Sequence, residues 1–382
     1  MQFKDIIGAA QPKSFLSGII AEGKIPHALM LYGREGTAKY ALALAMAQMI
    51  VCRNAGPDDS CGQCPSCKKA AKFIHPDIHF VFPVIKKEGK KREETTAADF
   101  LPEWRAVSGQ HPYFSFQDWT SYINAVNSPP NINTRECQEI VKKLGLQTFE
   151  ADAKVLIIWM PEYLGKEGNR LLKIIEEPTD NTYIMIVAED LNQILGTILS
   201  RTQTVYIPPS TDEEVMQAIQ QKCPDLTENQ ARQKAALADG NLGKALQLEI
   251  EKSLNFSKLL FDWIRISYKS KPEDLVKMVD HLAGLGRTQQ KDFLQYGLNY
   301  LREYLYLLYT GLRGVRLTDE EYNIAKKMQQ IIDLQKTEKL VVLFDNSIVH
   351  IRRNVNARIS FMSDSIAIGQ ILRSEKVAIL KD

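Results

Sequence analysis

The sequence predicts an α/β fold with a parallel sheet in its first half and a region made only of helices in its second half. Five short runs rich in aliphatic and β-branched residues alternate with helical stretches before residue 208. That order is typical of a parallel sheet covered on both faces. After Pro208-Pro209 no run of comparable strength recurs, so the remainder is predicted to be helical.

Each element of this fold can be placed on the sequence. The strand-like runs span residues 28–32, 77–84, 154–160, 182–188 and 203–207, and the clearest helices span residues 39–52, 134–144 and 168–177. Pro178 ends the last of these helices because proline lacks the N–H that would continue it. Ser210-Thr211-Asp212-Glu213 is typical of a capping box and predicts where the helical region begins.

The length of 382 residues predicts two or three domains. We place them at residues 1–208, 209–251 and 252–382. In the last of these, apolar residues recur at helical spacing and fit packing either within the domain or between subunits. They are Leu294, Leu298, Leu301, Leu305 and Leu308.

Composition and charge exclude some classes of function. A net charge of +2 is too mild for a protein that binds nucleic acid through its overall charge. No run approaches the eighteen or so apolar residues of a membrane span, and residues 1–5 lack the hydrophobic region of a signal peptide. We therefore expect a cytoplasmic protein without a membrane partner.

Residues 86–130 interrupt the alternation of strands and helices and are predicted to be an insertion. A charged run at 86–94 is followed by seven aromatic residues: Phe100, Trp104, Tyr113, Phe114, Phe116, Trp119 and Tyr122. Basic residues interleaved with aromatics can bind single-stranded nucleic acid. We favour the alternative, in which a solvated loop leads into a small helical unit and the aromatic side chains form its core.

Four of the six cysteines lie within sixteen residues, at Cys52, Cys61, Cys64 and Cys67. In a reducing compartment such clustering favours metal over disulfides, and four thiolates satisfy a tetrahedral structural zinc ion. With four sulfur ligands no coordination position is left for an activated water, so the predicted role is structural. Free buried thiols and an iron–sulfur cluster are the alternatives.

The first predicted strand leads through a glycine-containing loop into a helix, which is the context of a phosphate-binding P-loop. Gly33, Gly36 and Lys39 match that motif and are the candidate nucleotide-binding residues. Two positions depart from it. Ala38 replaces the glycine before the lysine, and Tyr40 replaces the Ser or Thr that would hold Mg²⁺.

The strand at 154–160 lacks the acidic residues that complete a magnesium site in P-loop ATPases. Trp159 and Met160 stand where two acids are expected, and Glu162 lies three positions beyond the first of them. Losing both metal-binding elements removes the groups that neutralise charge in phosphoryl transfer. We predict that the chain does not hydrolyse ATP, and the sequence leaves weak nucleotide binding open.

These residues together resemble the delta-prime subunits of bacterial DNA polymerase III clamp loaders, a family of the AAA+ P-loop fold. The resemblance covers residues 1 to about 250, and four stretches carry it. They are Ile25-Pro26-His27-Ala28, the four cysteines placed after the P-loop helix, Leu171-Leu172-Lys173-Ile174-Ile175-Glu176-Glu177-Pro178, and Leu199-Ser200-Arg201-Thr202. Hydrolysing gamma and tau subunits also carry the cysteine module, so the altered P-loop is what favours delta-prime.

The resemblance implies an AAA+ module at 1–208 with an embedded zinc module at 52–67, a helical lid and a helical collar. It implies that Arg201 is an arginine finger that reaches, in trans, the ATP of a neighbouring subunit. Gly243 stands where hydrolysing relatives carry a sensor arginine. The implied partners are gamma or tau subunits, the delta subunit and, through the complex, the sliding clamp and primed DNA.

Two other functions stay open at this point. The chain could be an active clamp-loader ATPase of the gamma or tau type with an unusual P-loop, in which case the isolated chain would hydrolyse ATP. It could also be a zinc-containing nucleic-acid-binding protein that acts alone, in which case the monomer would bind DNA tightly and with strong salt dependence.

Overall fold

A computed structural model describes residues 1–125, 129–247, 250–311, 316–353 and 355–374. The chain divides into two compact units. The amino-terminal unit comprises Met1–Leu226 and Ala238–Gln247, and the carboxy-terminal unit comprises Thr227–Leu237 and Leu248–Asp382. In the described part of the chain no helix is both long enough and apolar enough to cross a membrane.

The amino-terminal unit is built on a five-stranded parallel sheet, as the sequence predicts. Its strands are β1 (Ala28–Tyr32), β2 (Ile78–Val81), β3 (Lys154–Trp159), β4 (Thr182–Ala188) and β5 (Gln203–Tyr206), in the order β2-β3-β4-β1-β5. Because all strands run the same way, their carboxyl ends meet at one edge of the sheet. The loops after β1, β3 and β4 therefore lie side by side, where ligands of open α/β sheets bind.

Short helices cover this sheet. They are α1 (Ala10–Ala21), α2 (Lys39–Ile50), α3 (Pro65–Ala71), α4 (Leu101–Gln110), α5 (Phe116–Tyr122), α6 (Thr134–Leu144), α7 (Leu172–Glu176), α8 (Gly196–Leu199), α9 (Asp212–Lys222) and α11 (Leu242–Gln247). Helix α2 is buried on every side from its first residue to Met49, which suits its nearly continuous apolar sequence. The predicted insertion forms α4 and α5, as expected if it is a small helical unit.

Three predicted helices have different boundaries in the structure. Helix α2 ends at Ile50, two residues before its predicted end. The stretch predicted as a helix at 168–177 is a 3₁₀ segment, Pro161–Leu171, followed by α7. Gly165 has a non-helical backbone with φ of 52°, which interrupts this segment. Helix α9 begins with Thr211 and Glu214 in a capping box, one residue later than the sequence suggests.

The carboxy-terminal unit is helical throughout its described residues. Its helices are α10 (Glu228–Ala238, of which Ala238 belongs to the other unit), α12 (Ile250–Lys269), α13 (Pro272–Gly284), α14 (Arg287–Thr310), α15 (Asp319–Met328), α16 (Leu334–Arg352) and α17 (Ala357–Arg373). Leu294, Leu298 and Leu301 of the predicted apolar stripe are buried in its core, and Leu308 packs against that core. Four of the five leucines of the stripe thus serve internal packing, and Leu305 is only partly buried.

Candidate nucleotide pocket and cysteine cluster

The loop between β1 and α2 has the close backbone approaches that require glycine at two positions. A Cβ atom on Gly33 would lie 2.3 Å from the carbonyl oxygen of Ile207. Gly36 has a φ of +73°, and a Cβ atom there would lie 1.8 Å from Oδ1 of Asn241. The glycines of the motif are thus used to pack the loop against this chain's own atoms.

Lys39, the lysine that a P-loop directs at phosphate, is satisfied within the chain. Its side chain is 4% exposed, and its Nζ donates hydrogen bonds to the Arg34 carbonyl oxygen at 2.9 Å and to Glu189 Oε1 at 3.2 Å. Glu189 directly follows β4, so its carboxylate lies at the sheet edge where a phosphate would be expected. Burial raises the pKa of Glu189, and the neighbouring Lys39 cation opposes that rise.

The two positions that would hold magnesium are joined by an aromatic cluster. Ring centroids of Trp104 lie 5.6 Å from Tyr40 and 5.1 Å from Trp159, and those of Phe114 lie 5.5 Å and 5.2 Å from the same two rings. Tyr40 is 3% exposed and Trp159 2% exposed. The Tyr40 hydroxyl pairs with Ser108 Oγ at 3.1 Å. No oxygen donor set suited to Mg²⁺ exists at these two positions.

Glu162, the displaced acid of the third strand, caps backbone groups. Its Oε1 accepts hydrogen bonds from the backbone N–H groups of Glu189 and Asp190, at 2.5 and 3.0 Å. This interaction fixes the loop that carries Glu189. Glu162 therefore supports the edge of the pocket.

The four predicted metal ligands come together. The sulfur atoms of Cys52, Cys61, Cys64 and Cys67 all lie within 4.8 Å of one another, and those of Cys61 and Cys67 are 3.9 Å apart. A tetrahedron of sulfurs with metal–sulfur bonds of about 2.3 Å has edges of about 3.8 Å. A disulfide needs sulfurs at about 2.05 Å, so this separation fits a shared metal and excludes that bond.

Backbone donors around the cluster favour thiolates. The N–H groups of Cys61, Cys64 and Cys67 donate to the sulfurs of Cys52, Cys61 and Cys64, at 3.3, 3.3 and 3.4 Å. Backbone donors at Gln63 and Cys64 lower the pKa of Cys61 to about 6, whereas burial raises the pKa values of Cys52 and Cys67. Cys64 caps α3 with Pro65 at its first position, which fixes the turn between two ligands. This donor set fits zinc.

The cysteine module is anchored to the rest of the unit. Asp59 accepts the backbone N–H groups of Phe3 and Lys4, both at 3.0 Å, and Gln48 of α2 donates to Ser60 Oγ at 2.9 Å. Lys69 of α3 pairs with Glu150 at 2.5 Å. The module is therefore held from both the chain's first residues and the segment before β3.

Arg201, the predicted finger, lies between α8 and β5, about one third exposed. Its Nε pairs with the Glu176 carboxylate at the end of α7, and its Nη1 donates to the Thr197 carbonyl oxygen at 3.0 Å and to Ser200 Oγ at 3.1 Å. The guanidinium is thus oriented at the surface of the unit. It is not brought together with Gly33, Gly36 or Lys39 through any described contact.

Three residues that sequence reasoning did not select also contribute to these sites: Glu189, Asn241 and Glu176. Glu189 could have been found, because it directly follows a predicted strand at the edge where the P-loop lies. Asn241 and Glu176 act through contacts that no local pattern encodes. Asn241 Nδ2 donates to Glu35 at 3.3 Å, and the N–H of Leu242 donates to the Gly36 carbonyl oxygen at 3.1 Å.

Comparison with known proteins identifies the family. A family profile described as "DNA polymerase III, delta subunit" matches residues 8–211. The chain is 25% identical over 241 residues to the DNA polymerase III subunit delta′ of Bacillus subtilis, covering 62% of this chain and 59% of the relative. It is 26% identical over 267 residues to the delta′ subunit of Haemophilus influenzae, covering 68% and 66%.

A gamma subunit is about equally similar. The DNA polymerase III subunit gamma of Buchnera aphidicola is 24% identical over 258 residues, covering 66% of this chain and 59% of the relative. The chain thus spans about six tenths of the length of the first curated relatives it matches. The solved gamma subunit-related protein of Thermotoga maritima has 15% identity and a TM-score of 0.38, covering 94% of this chain and 99% of that one, a likeness too weak to support an argument.

The family profile covers more than half of the 382 residues and includes the P-loop, the cysteine cluster and Arg201. Further delta′ subunits match at 23% to 24% identity. The chain therefore belongs to the delta′ family of DNA polymerase III clamp-loader subunits.

Proposed function

We propose that this chain is a non-hydrolysing subunit of the clamp loader, which acts on the ATP of a neighbouring subunit through Arg201. The observation that carries the proposal is the internal ion pair of Lys39 with Glu189, next to an aromatic cluster at both magnesium positions. Because Lys39 is already paired within the chain, it cannot neutralise a developing phosphate charge without giving up Glu189. The similarity to gamma subunits extends the proposal to partners of the gamma or tau type.

The partial exposure of Arg201 supports its proposed role as a finger in trans. Glu176, Thr197 and Ser200 fix the direction of its guanidinium group. An arginine supplied to a neighbour's γ-phosphate accelerates hydrolysis by about 10³- to 10⁵-fold, or roughly 4 to 7 kcal/mol of barrier. The delta subunit, the sliding clamp and primed DNA complete the proposed assembly, and its place in replication makes the cytoplasm the proposed location.

Zinc is the proposed metal of the cysteine cluster. Cys52, Cys61, Cys64 and Cys67 would hold it, and it would supply structural stability without taking part in a reaction. A colourless purified chain with one zinc per molecule is expected. Iron and sulfide in the cluster, or four thiols free to react without a chelator, would contradict this assignment.

The decisive experiment reconstitutes the chain with gamma or tau and delta subunits and measures ATP hydrolysis in the presence of clamp and primed DNA. Arg201→Ala is expected to slow hydrolysis at the site that it serves by about 10³-fold or more, with assembly intact. Arg170→Ala is the matched control, because Arg170 is also paired with a nearby glutamate, Glu167, at 2.8 Å.

Two outcomes would reject the proposal. If Arg201→Ala assembles and hydrolyses ATP at the wild-type rate, Arg201 is not the finger. If the isolated chain hydrolyses ATP in a magnesium-dependent manner, the chain is an active ATPase of the gamma or tau type. Tight, salt-dependent binding of DNA by the monomer would instead favour the stand-alone nucleic-acid-binding function.

A further inference from the structure

We infer that the insert, residues 86–125 of the described chain, is an intramolecular ligand of the altered nucleotide pocket. It joins the P-loop, β3 and α11, which are the parts of the amino-terminal unit that surround the pocket, and so fixes their arrangement without a nucleotide. This inference concerns the amino-terminal unit alone and holds whether or not Arg201 serves a neighbour.

The first support is the packing of the insert against the P-loop helix, β3 and the segment after β2. The Trp104 ring contacts Tyr40 of the P-loop helix and Trp159 of β3. Trp104 is fully buried and stacks on Phe82, with ring centroids 4.0 Å apart and planes at 8°. Trp119 is also fully buried, and its Nε1 donates to the Pro83 carbonyl oxygen at 2.8 Å. Buried aromatic side chains of this size contribute several kcal/mol each to a packed core. The insert is therefore part of the unit's core.

The second support is a close approach between the insert and α11. A Cβ atom on Gly243 would lie 2.2 Å from the carbonyl oxygen of Tyr113. The Tyr113 hydroxyl accepts the backbone N–H of Ile7 at 3.1 Å, so this residue is held from both ends. Glycine at 243 is the residue that permits the backbone of the insert to contact α11 directly.

The third support is that α11 also contacts the P-loop itself. Leu242 donates its N–H to the Gly36 carbonyl oxygen at 3.1 Å, and Asn241 occupies the space beside Gly36. The P-loop, the insert and α11 thus form a closed set of contacts. We therefore expect a nucleotide to bind only if Asn241, Tyr113 or the Trp104 cluster is displaced.

The experiment measures amide hydrogen exchange of the full chain with and without millimolar MgATP, comparing wild type with Gly243→Ala. In the wild type, exchange in residues 33–47, 97–122 and 242–247 is expected to be slow and unchanged by MgATP. In Gly243→Ala, exchange is expected to be about tenfold faster in both α11 and the insert, because the added methyl cannot fit against a backbone carbonyl. The cysteine module, residues 52–72, should exchange as in the wild type.

Gly18→Ala is the matched control, since Gly18 lies inside α1 with nothing within 4 Å of an added Cβ. It should leave all three segments unchanged. If Gly243→Ala fails to fold, Phe114→Leu provides the same test, since it removes one of the two rings that contact both Tyr40 and Trp159 while keeping an apolar side chain.

Two results would overturn the inference. One is slower exchange in the wild-type P-loop when MgATP is added, because a pocket filled by the chain's own side chains should not bind nucleotide and should show no added protection. The other is faster exchange in Gly243→Ala or Phe114→Leu that is confined to the substituted segment, because the insert and α11 would then be independent of each other.

Discussion

The nucleotide pocket and the cysteine cluster lie in the same unit, and both belong to the segment that matches the family profile. The cluster retains four identical donors within 4.8 Å of one another. The pocket retains the backbone of a P-loop, but Tyr40, Trp159 and the Lys39–Glu189 pair occupy the places of its chemistry. A structural metal needs all four ligands, whereas a pocket that does not hydrolyse ATP, as we propose for this one, can be rebuilt as core.

The comparison predicts that substitutions destabilise the cysteine cluster more than they destabilise the nucleotide pocket. Cys67→Ser removes a buried ligand and should abolish stoichiometric zinc binding. Structural zinc contributes on the order of 10 kcal/mol in small modules, so residues 52–72 should unfold before the sheet does. Zinc content and amide exchange measure both effects, and a chelator should reproduce them.

Cys223→Ser is the control for that substitution, because Cys223 lies outside the cluster at the end of α9. It should leave zinc content at one per chain. If Cys67→Ser retains one tightly bound zinc and its module stays protected from exchange, the four-cysteine assignment is wrong.

The second prediction restores the chemistry of a P-loop to the pocket. Tyr40→Thr combined with Trp159→Asp should lower the free energy of unfolding by about 4 kcal/mol or more. The reason is that the pair empties the aromatic cluster and places a carboxylate at a position now 2% exposed. Denaturant unfolding measures the loss, and MgATP binding is not expected to appear.

Tyr40→Phe is the matched control for the second prediction. It removes only the hydroxyl that pairs with Ser108 and should cost about 1 kcal/mol. A stably folded double variant that binds MgATP would show that changing two residues is enough to restore nucleotide binding. The pocket would then not have been rebuilt as core, and the proposed difference between the pocket and the cysteine cluster would be wrong.

The sequence predicted the sheet well because each of its strands is a local pattern. The bounds of β1 and β4 match the predicted runs, and β3 ends one residue earlier than predicted. The largest error was at β2, where residues 77–84 were predicted and Ile78–Val81 are in the strand. There the apolar run continues past the strand because Phe82 and Val84 are buried against the insert and its neighbours.

The cysteine cluster was also predictable, since its ligands lie within sixteen residues of one another. For the nucleotide pocket, the sequence predicted only which residues of an ATPase site are missing. Glu189 lies 150 residues from Lys39, and Trp104 is more than 50 residues from both Tyr40 and Trp159. Such contacts arise from the strand order, which brings distant loops to one edge, and no spacing along the chain specifies them.

The third prediction concerns the ion pair that replaces phosphate. Lys39→Met should destabilise the chain by about 2 to 3 kcal/mol, less than for a fully buried pair because Glu189 is 25% exposed. Lys24→Met is the control, since Lys24 pairs with Glu22 on the surface and should change stability by less than about 1 kcal/mol. Equal stability of Lys39→Met and wild type would mean that the pair contributes nothing.

The smallest expected effect is the change of stability with pH that is caused by the ionisation of Glu189. Burial raises the pKa of this carboxyl group in the folded chain, so the folded state favours the protonated form. Below the ordinary carboxyl pKa of about 4.3, Glu189 is protonated in both the folded and the unfolded chain, so its ionisation does not lower the free energy of unfolding. As pH rises from there through the higher folded pKa, ionisation favours the unfolded chain and stability falls. Glu189→Gln should remove this fall while keeping an oxygen acceptor for Lys39.

Denaturant midpoints measured at several pH values above about 4 test this prediction, with the difference between Glu189→Gln and wild type as the quantity of interest. That difference should grow with pH in favour of the variant and stay within about 1 kcal/mol, because the Lys39 cation offsets part of the cost of burying the carboxylate. The opposite sign, with the variant losing stability as pH rises, would mean that attraction to Lys39 outweighs burial. The Lys39–Glu189 ion pair would then make a net favourable contribution to stability, in spite of the cost of burying the carboxylate.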